Sequence, residues 1–373
     1  MRIGLDARYA FRSQRRGIGQ YVAELICGLG RVDTEDTFFL YVDAVADLDA
    51  LALPKEGFHI RRLSVHNPML FEESALPRAV RQDRLDLLHL TSNYGPSLVS
   101  CPTLYTVHDL IEFLRNEIGP WQIDWRHRYG RKLRMLTLPH QAKRSRGVIV
   151  PSDATRADVR RILGVPAARI WTIPFGAPRL AAVPQEEARD SLRKVGYPVP
   201  DTYMLAFAAL DPRKNWKLAV EAFKSTAADR LGAELWLVGI EDARAYPENP
   251  PDWLRLLTYV PRDHVLWLLQ GATAFIYPSL YEGFGFPVLE AMALGVPVIA
   301  SDCSSIPEVV GDGGILFKAN SSEDLADNMK RILLDRRLQD ELSVRGRARA
   351  AQFRWDVTVQ RHVETYHRVA AET

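Results

Sequence analysis

At 373 residues, 47% hydrophobic and 25% charged, the chain is too long for one compact core, and two domains of about 150 to 200 residues are expected. Its 48 Lys+Arg against 46 Asp+Glu leave a net charge of +2, too little to draw in nucleic acid, and the composition excludes disorder and collagen-like repeats. No apolar run approaches the roughly 18 residues that span a bilayer, no signal peptide is recognisable, and Cys27, Cys101 and Cys303 are scattered without metal-ligand spacing. A cytoplasmic protein with buried thiols is the expectation.

From the N-terminus, short β-rich runs alternate with helical patterns: RIGLD at 2–6, FFLYV at 38–42, LDLLHL at 85–90, TLYTV at 103–107, GVIVPS at 147–152 and RIWTIPFG at 169–176. That alternation predicts βα units on a parallel sheet, hence a Rossmann-like domain over 1–178. Ser152 before DATRADVRRIL reads as a helix cap. The Pro-rich PRLAAVPQEE serves as a linker, and a second domain over 179–353 follows with strands YMLAFAAL, AELWLVG, TAFIYPS, VPVIAS and GILF. The segment 354–373 closes with a helix bearing Trp355, Val359, Val363 and Tyr366 on one face, expected to cross back onto the N-terminal domain. The class is therefore α/β, two doubly wound domains with a ligand cleft at the C-terminal ends of their sheets.

The charges are unevenly divided: 25 basic and 19 acidic residues in 1–178, 23 and 27 in 179–373. Eight of the basic residues fall in 126–146, where no acid occurs; Tyr129, Leu133, Leu136 and Leu138, with Trp125 just before the stretch, interleave with them. The pattern suits an anionic membrane surface, and equally a helix whose apolar side covers its own sheet.

The densest chemical signal is Pro278-Ser279-Leu280-Tyr281-Glu282-Gly283-Phe284-Gly285-Phe286-Pro287-Val288-Leu289-Glu290. A strand ends at Ser279, Gly283 and Gly285 let backbone approach a ligand around Phe284, and Pro287 suits the first turn of a helix. Glu282 in the loop and Glu290 on the helix can face one pocket, where helix-start N–H groups hold an anion and carboxylates hold sugar hydroxyls. The loop Asp211-Pro212-Arg213-Lys214-Asn215 reads as a solvated turn or a cationic subsite. His108-Asp109 ends a strand, and a lone His there is more often a satisfied core residue than a functional one. Gly17-Ile18-Gly19 lacks the third glycine of a dinucleotide fingerprint, which disfavours an oxidoreductase. The one Asp-x-Asp pair, Asp47-Leu48-Asp49, reads as solvated helix charge, so no metal is expected.

Glu282 and Glu290, with seven residues between them in YEGFGFPVLEAMALGVPVIASD, resemble the donor-binding motif of retaining family-4 glycosyltransferases of GT-B fold. The resemblance extends to Gly17-Ile18-Gly19, Thr106-Val107-His108-Asp109, Val150-Pro151-Ser152, the PRKN loop, Ser305-Ile306-Pro307-Glu308-Val309 and the Trp355 helix. It implies a two-domain transferase, with Glu282 on the sugar hydroxyls, Glu290 on the ribose, Lys214 neutralising the donor diphosphate, and backbone around Val260 meeting the base. It also implies His108, with Asp109, beside the transferred sugar, and Gly17 and Gly19 near donor phosphate or acceptor. An Arg usual early in the PRKN loop aligns with Ala209, and Arg213 stands in for it. SDCSSIPEVVGDGG, with Ser304-Ser305 where many relatives have two glycines, is similar to bacterial polysaccharide mannosyltransferases. The resemblance therefore implies transfer of mannose from GDP-mannose, with retention and without metal or other cofactor, to a glycan or lipid-linked acceptor at the inner leaflet. A nucleotide-sugar 2-epimerase of the same fold and a non-catalytic nucleotide-sugar binding protein are the alternatives.

Overall fold

The structure is a computed structural model that describes residues 1–15, 17–53, 56–114, 125–228, 232–239 and 249–371, with backbone alone for 125–134. The chain divides into two compact units. The first joins Met1–Phe113, Gln122–Gly176 and Arg354–Thr373, and the second is principally Ala177–Phe353.

In unit 1 the strands are β1 (Arg2–Asp6), β2 (Thr37–Val42), β3 (Phe58–Arg62), β4 (Leu87–Leu90), β5 (Thr103–Thr106), β6 (Gly147–Val150) and β7 (Ile170–Thr172). They form one sheet in the order β3-β2-β1-β4-β5-β6-β7, every neighbouring pair parallel. β4 and β6 are buried at every position, as expected of strands covered on both faces. Leu88, Leu90, Tyr105, Val107, Val148 and Val150 carry this apolar core. The helix Trp355–Ala371 belongs to the same unit and packs on the helix Gly17–Leu29, with Val359 seated against Gly28. Trp355, Val359, Val363 and Tyr366 are all buried.

Unit 2 repeats the plan with β8 (Thr202–Phe207), β9 (Ala233–Val238), β10 (Leu254–Leu257), β11 (Ala274–Tyr277), β12 (Val298–Ser301) and β13 (Ile315–Phe317). All neighbours are parallel, in the order β10-β9-β8-β11-β12-β13, over a core that includes Met204, Leu235, Ile276, Ile299 and Phe317. The strand order reverses between β8 and β11. A doubly wound sheet binds ligands in the crevice at such a reversal, because the loops leaving the two strands diverge to opposite faces.

Two local readings change and two others take definite form. β3 and β10 were not anticipated from FHIRR and LRLL; they are the outermost strands of their sheets, and β3 is mostly exposed. The expected linker is shorter, since Gln185 already opens the helix Gln185–Lys194. Asp47-Leu48-Asp49 forms a short 3-10 turn in which the Asp47 carboxylate accepts from the Asp49 N–H, 3.2 Å away. The basic stretch is a helix, Trp125–Arg144, that contains Pro139, with Leu138 buried and Leu136 77% exposed. The Trp125, Tyr129 and Leu133 side chains lie outside the described residues. No described helix is long and apolar enough to cross a membrane.

Candidate active site

The loops after β8 and β11 meet at the reversal in unit 2. Asp211 caps a 3-10 turn, Pro212–Lys214, by accepting from the Arg213 N–H, and its other oxygen receives the Arg213 Nε at 2.6 Å. Asn215 then turns left-handed (φ 47°), a conformation Asn tolerates, and Lys214 Nζ lies 3.1 Å from the hydroxyl of Tyr277 at the end of β11. The loops are tied by the Leu280 N–H donating to the Arg213 carbonyl at 2.7 Å.

Glu282 is the centre of this arrangement. Its Oε1 accepts from Lys214 Nζ, the Tyr277 hydroxyl and Ser279 Oγ, each at 2.7 Å, and its Oε2 faces Arg213 Nη1 at 3.3 Å. Burial by itself would raise the carboxyl pKa. Lys214 and Arg213 beside it, with the hydrogen bonds from Lys214 and Ser279, outweigh burial and hold it down to about 2. The carboxylate is therefore ionised at neutral pH, an acceptor with paired cations rather than a general acid. Burial and the neighbouring Glu282 charge push the Tyr277 hydroxyl pKa up, so Tyr277 remains a donor. The Glu282 backbone is fixed too, because Ser304 Oγ and Ser305 Oγ donate to its carbonyl at 2.6 and 2.8 Å.

Gly283 and Phe284 follow, and Gly285 caps the helix Phe286–Ala293 at φ 108°, where an added Cβ would lie 2.9 Å from Ile306 Cδ1. That helix carries Glu290, which is also buried but has its own cation. Arg262 grips it with both terminal nitrogens, Nη1 at 3.1 Å from Oε2 and Nη2 on Oε1. Val260 lies after β10, two residues before Arg262 and the helix Arg262–Gly271. The structure thus brings Arg213, Lys214 and Glu282 together. Glu290 pairs instead with Arg262, which no sequence motif distinguished from the other basic residues.

His108 and Asp109 stand at the C-terminal edge of β5 in unit 1. His108 is buried and donates from Nε2 to the Thr91 carbonyl at 2.9 Å, while its backbone N–H donates to Asn93 Oδ1 at 2.9 Å. Asn93 Nδ2 in turn donates to the Asp109 carbonyl at 2.8 Å. Burial lowers the His108 pKa to about 4, so the imidazole is neutral and its Nδ1 carries the lone pair. Gly17 opens the first helix of the unit, and a Cβ at Gly19 would meet the Tyr9 carbonyl at 2.7 Å, a close approach within the protein itself. Thr91, Asn93 and Tyr277 escaped sequence reasoning.

Two successive doubly wound parallel sheets, the second with a buried carboxylate ringed by cations at its reversal, define a GT-B glycosyltransferase. Residues 15–178 match the family described as Glycosyltransferase Family 4 and residues 188–349 match Glycosyl transferases group 1, so the chain belongs to the family-4 glycosyltransferases. It is 29% identical to O-antigen chain mannosyltransferase B of Escherichia coli, over 94% of this chain and 95% of that one. Its fold matches sucrose-phosphate synthase of Thermosynechococcus elongatus with a TM-score of 0.74 at 20% identity, covering 100% of both chains. It also matches Anabaena HepE in complex with UDP and glucose, with a TM-score of 0.73 at 16% identity over 98% of this chain and 99% of that one.

Proposed function

We propose that this glycosyltransferase moves mannose from GDP-mannose, with retention of configuration and without a metal, to a growing glycan or lipid-linked acceptor of a bacterial surface polysaccharide. The carrying observation is the Glu282 cluster: an ionised carboxylate with Lys214 Nζ at 2.7 Å and Arg213 Nη1 at 3.3 Å, at the strand-order reversal. In this reading the two cations receive the donor diphosphate and stabilise it as negative charge builds on the leaving group, the work a divalent ion does elsewhere. Glu282 turns its less crowded Oε2 to sugar hydroxyls, and Glu290 serves the ribose, with backbone around Val260 at the base. His108 of unit 1 serves the transferred sugar, offering its bare Nδ1 to a hydroxyl, with Asp109 beside it. The mannose assignment draws on the O-antigen mannosyltransferase, which matches over nearly its whole length. The basic helix Trp125–Arg144 is the element proposed to meet an anionic inner-leaflet surface.

A thermal-shift series with GDP-mannose, UDP-glucose and dTDP-rhamnose tests the donor, since a ligand bound to the native state raises the apparent melting temperature. GDP-mannose should give the largest shift, unchanged by EDTA, and turnover with it should release an α-linked product. A shift confined to UDP-glucose or dTDP-rhamnose, or one abolished by EDTA, would refute the donor or the metal-free reading respectively.

A further inference from the structure

Inside unit 1 lies a chain of five fully buried polar side chains, Tyr366, His89, Thr106, Tyr21 and His362. Its links are short: Tyr366 OH to His89 Nδ1 at 2.8 Å, His89 Nε2 to Thr106 Oγ1 at 2.7 Å, Thr106 Oγ1 to Tyr21 OH at 3.0 Å, and Tyr21 OH to His362 Nε2 at 2.9 Å. Proton bookkeeping fixes every direction. His362 Nδ1 lies 2.7 Å from the Thr358 carbonyl, which can only accept, so Nδ1 bears the proton and the neutral ring leaves Nε2 bare. Tyr21 must donate to it. The Tyr21 oxygen then accepts from Thr106, Thr106 accepts from His89 Nε2–H, and His89 Nδ1 accepts from Tyr366. Only this orientation gives each link one proton.

Tyr21 also touches the candidate site. Its ring stands perpendicular to that of His108, centroids 5.1 Å apart, and Phe175 packs on both, at 4.5 and 5.6 Å. We infer that Tyr21, pinned by His362 of the C-terminal helix, is a positioning residue for His108: its immobilised ring fixes the plane in which the imidazole presents Nδ1. This rests on the reading of His108 as a residue that serves the transferred sugar. A phenol held at one hydroxyl bond could pivot about it, whereas one held between Thr106 and His362 cannot. The closing helix thereby contributes to the reacting geometry without touching it.

Tyr366→Phe supplies the control, because it removes one hydroxyl from the far end of the same chain and leaves Tyr21 untouched. Long-range ¹H–¹⁵N spectra of the full-length protein labelled at histidine nitrogens should show His362 protonated at Nδ1, and His89 and His108 at Nε2. In Tyr21→Phe the His108 ring signals should broaden or move, and in Tyr366→Phe only those of His89 should. Turnover, read with whichever of GDP-mannose, UDP-glucose and dTDP-rhamnose the parent uses fastest, should fall about tenfold in kcat for Tyr21→Phe with donor KM unchanged, and stay within about twofold for Tyr366→Phe. Adding Tyr21→Phe to His108→Ala should cost nothing further. Unmoved His108 signals in Tyr21→Phe, equal kcat in the two Phe variants, or additive losses would overturn the inference while sparing the role of His108. Full turnover in His108→Ala would overturn that role and the inference together.

Discussion

At Glu282 the chemistry is decided by which of two opposed effects is larger. Burial would keep a carboxyl neutral, and Lys214 and Arg213 keep it ionised, with its pKa near 2. Because that value lies below the ordinary 4.5, the carboxylate contributes stability that is fully present above pH 4.5 and is lost as pH falls toward 2. Lys214→Ala removes the nearer cation and strands a buried charge, so Glu282 should titrate at higher pH. Turnover should fall 10²- to 10³-fold, about 3 to 4 kcal/mol of barrier, as when one preorganised electrostatic stabiliser is lost. A Lys214→Ala enzyme with raised KM and parental kcat would show instead that the lysine binds ground and transition states alike. Glu282→Ala should abolish turnover and keep the fold, since the side chain bonds only to polar neighbours of the site; normal activity would sink the assignment. Glu282, Lys214 and Arg213 were legible because polar residues between a strand end and a glycine-rich turn have little structural reason to be there. Tyr277 was not, because in Ala-Phe-Ile-Tyr it reads as the last apolar position of a buried strand, and its hydroxyl shows its use only once Glu282 is placed 2.7 Å away. Arg262 was hidden among 48 basic residues until Glu290 was found in its grip.

The elements that sequence patterning missed share a cause. β3 and β10 are sheet edges with one neighbour each, so β3 can carry His59, Arg61 and Arg62 largely in solvent, and it lacks the apolar run that identifies β4 or β6. Interior strands were legible because burial on both faces demands Val, Ile and Leu. A turn shows the reverse case, where chemistry and backbone conflict. Ser304 sits at φ 54°, in the region that favours glycine, yet its hydroxyl donates to the Glu282 carbonyl at 2.6 Å. Ser304→Gly relieves strain worth about 1 kcal/mol and loses a hydrogen bond of similar worth, so denaturant stability should change by less than about 1 kcal/mol. The Glu282 loop should nevertheless loosen, seen as weaker donor binding in the same variant. A large loss of stability would show that the hydroxyl holds the turn itself.

Across the whole molecule, the two units should part company in acid. Unit 1 buries His89, His108 and His362 as neutral rings, all with lowered pKa values through burial, His108 and His362 to about 4 from 6.5. The unfolded chain takes up those protons first, so the stability these rings confer is complete above pH 6.5 and drains away as pH falls toward 4, by about 3 kcal/mol for each of the two. Against a typical total of about 5 to 15 kcal/mol, that is enough to unfold a domain. Among the described residues the three rings hydrogen-bond to hydroxyls and backbone carbonyls, not to a carboxylate that would compensate. In unit 2 the Glu282 contribution is lost only between pH 4.5 and 2. Calorimetry from pH 7 to pH 4 should therefore show the transition of unit 1 moving down while that of unit 2 holds. Val359→Ala identifies which is which, since it opens a cavity between the C-terminal helix and Gly28 at a cost of about 1 kcal/mol or more and should lower the unit 1 transition alone. His362→Gln, which has no proton to gain in this range, should flatten part of the pH dependence. If the unit 2 transition falls first, or the His362→Gln slope matches the parent, the buried imidazoles are not what makes the protein acid-sensitive.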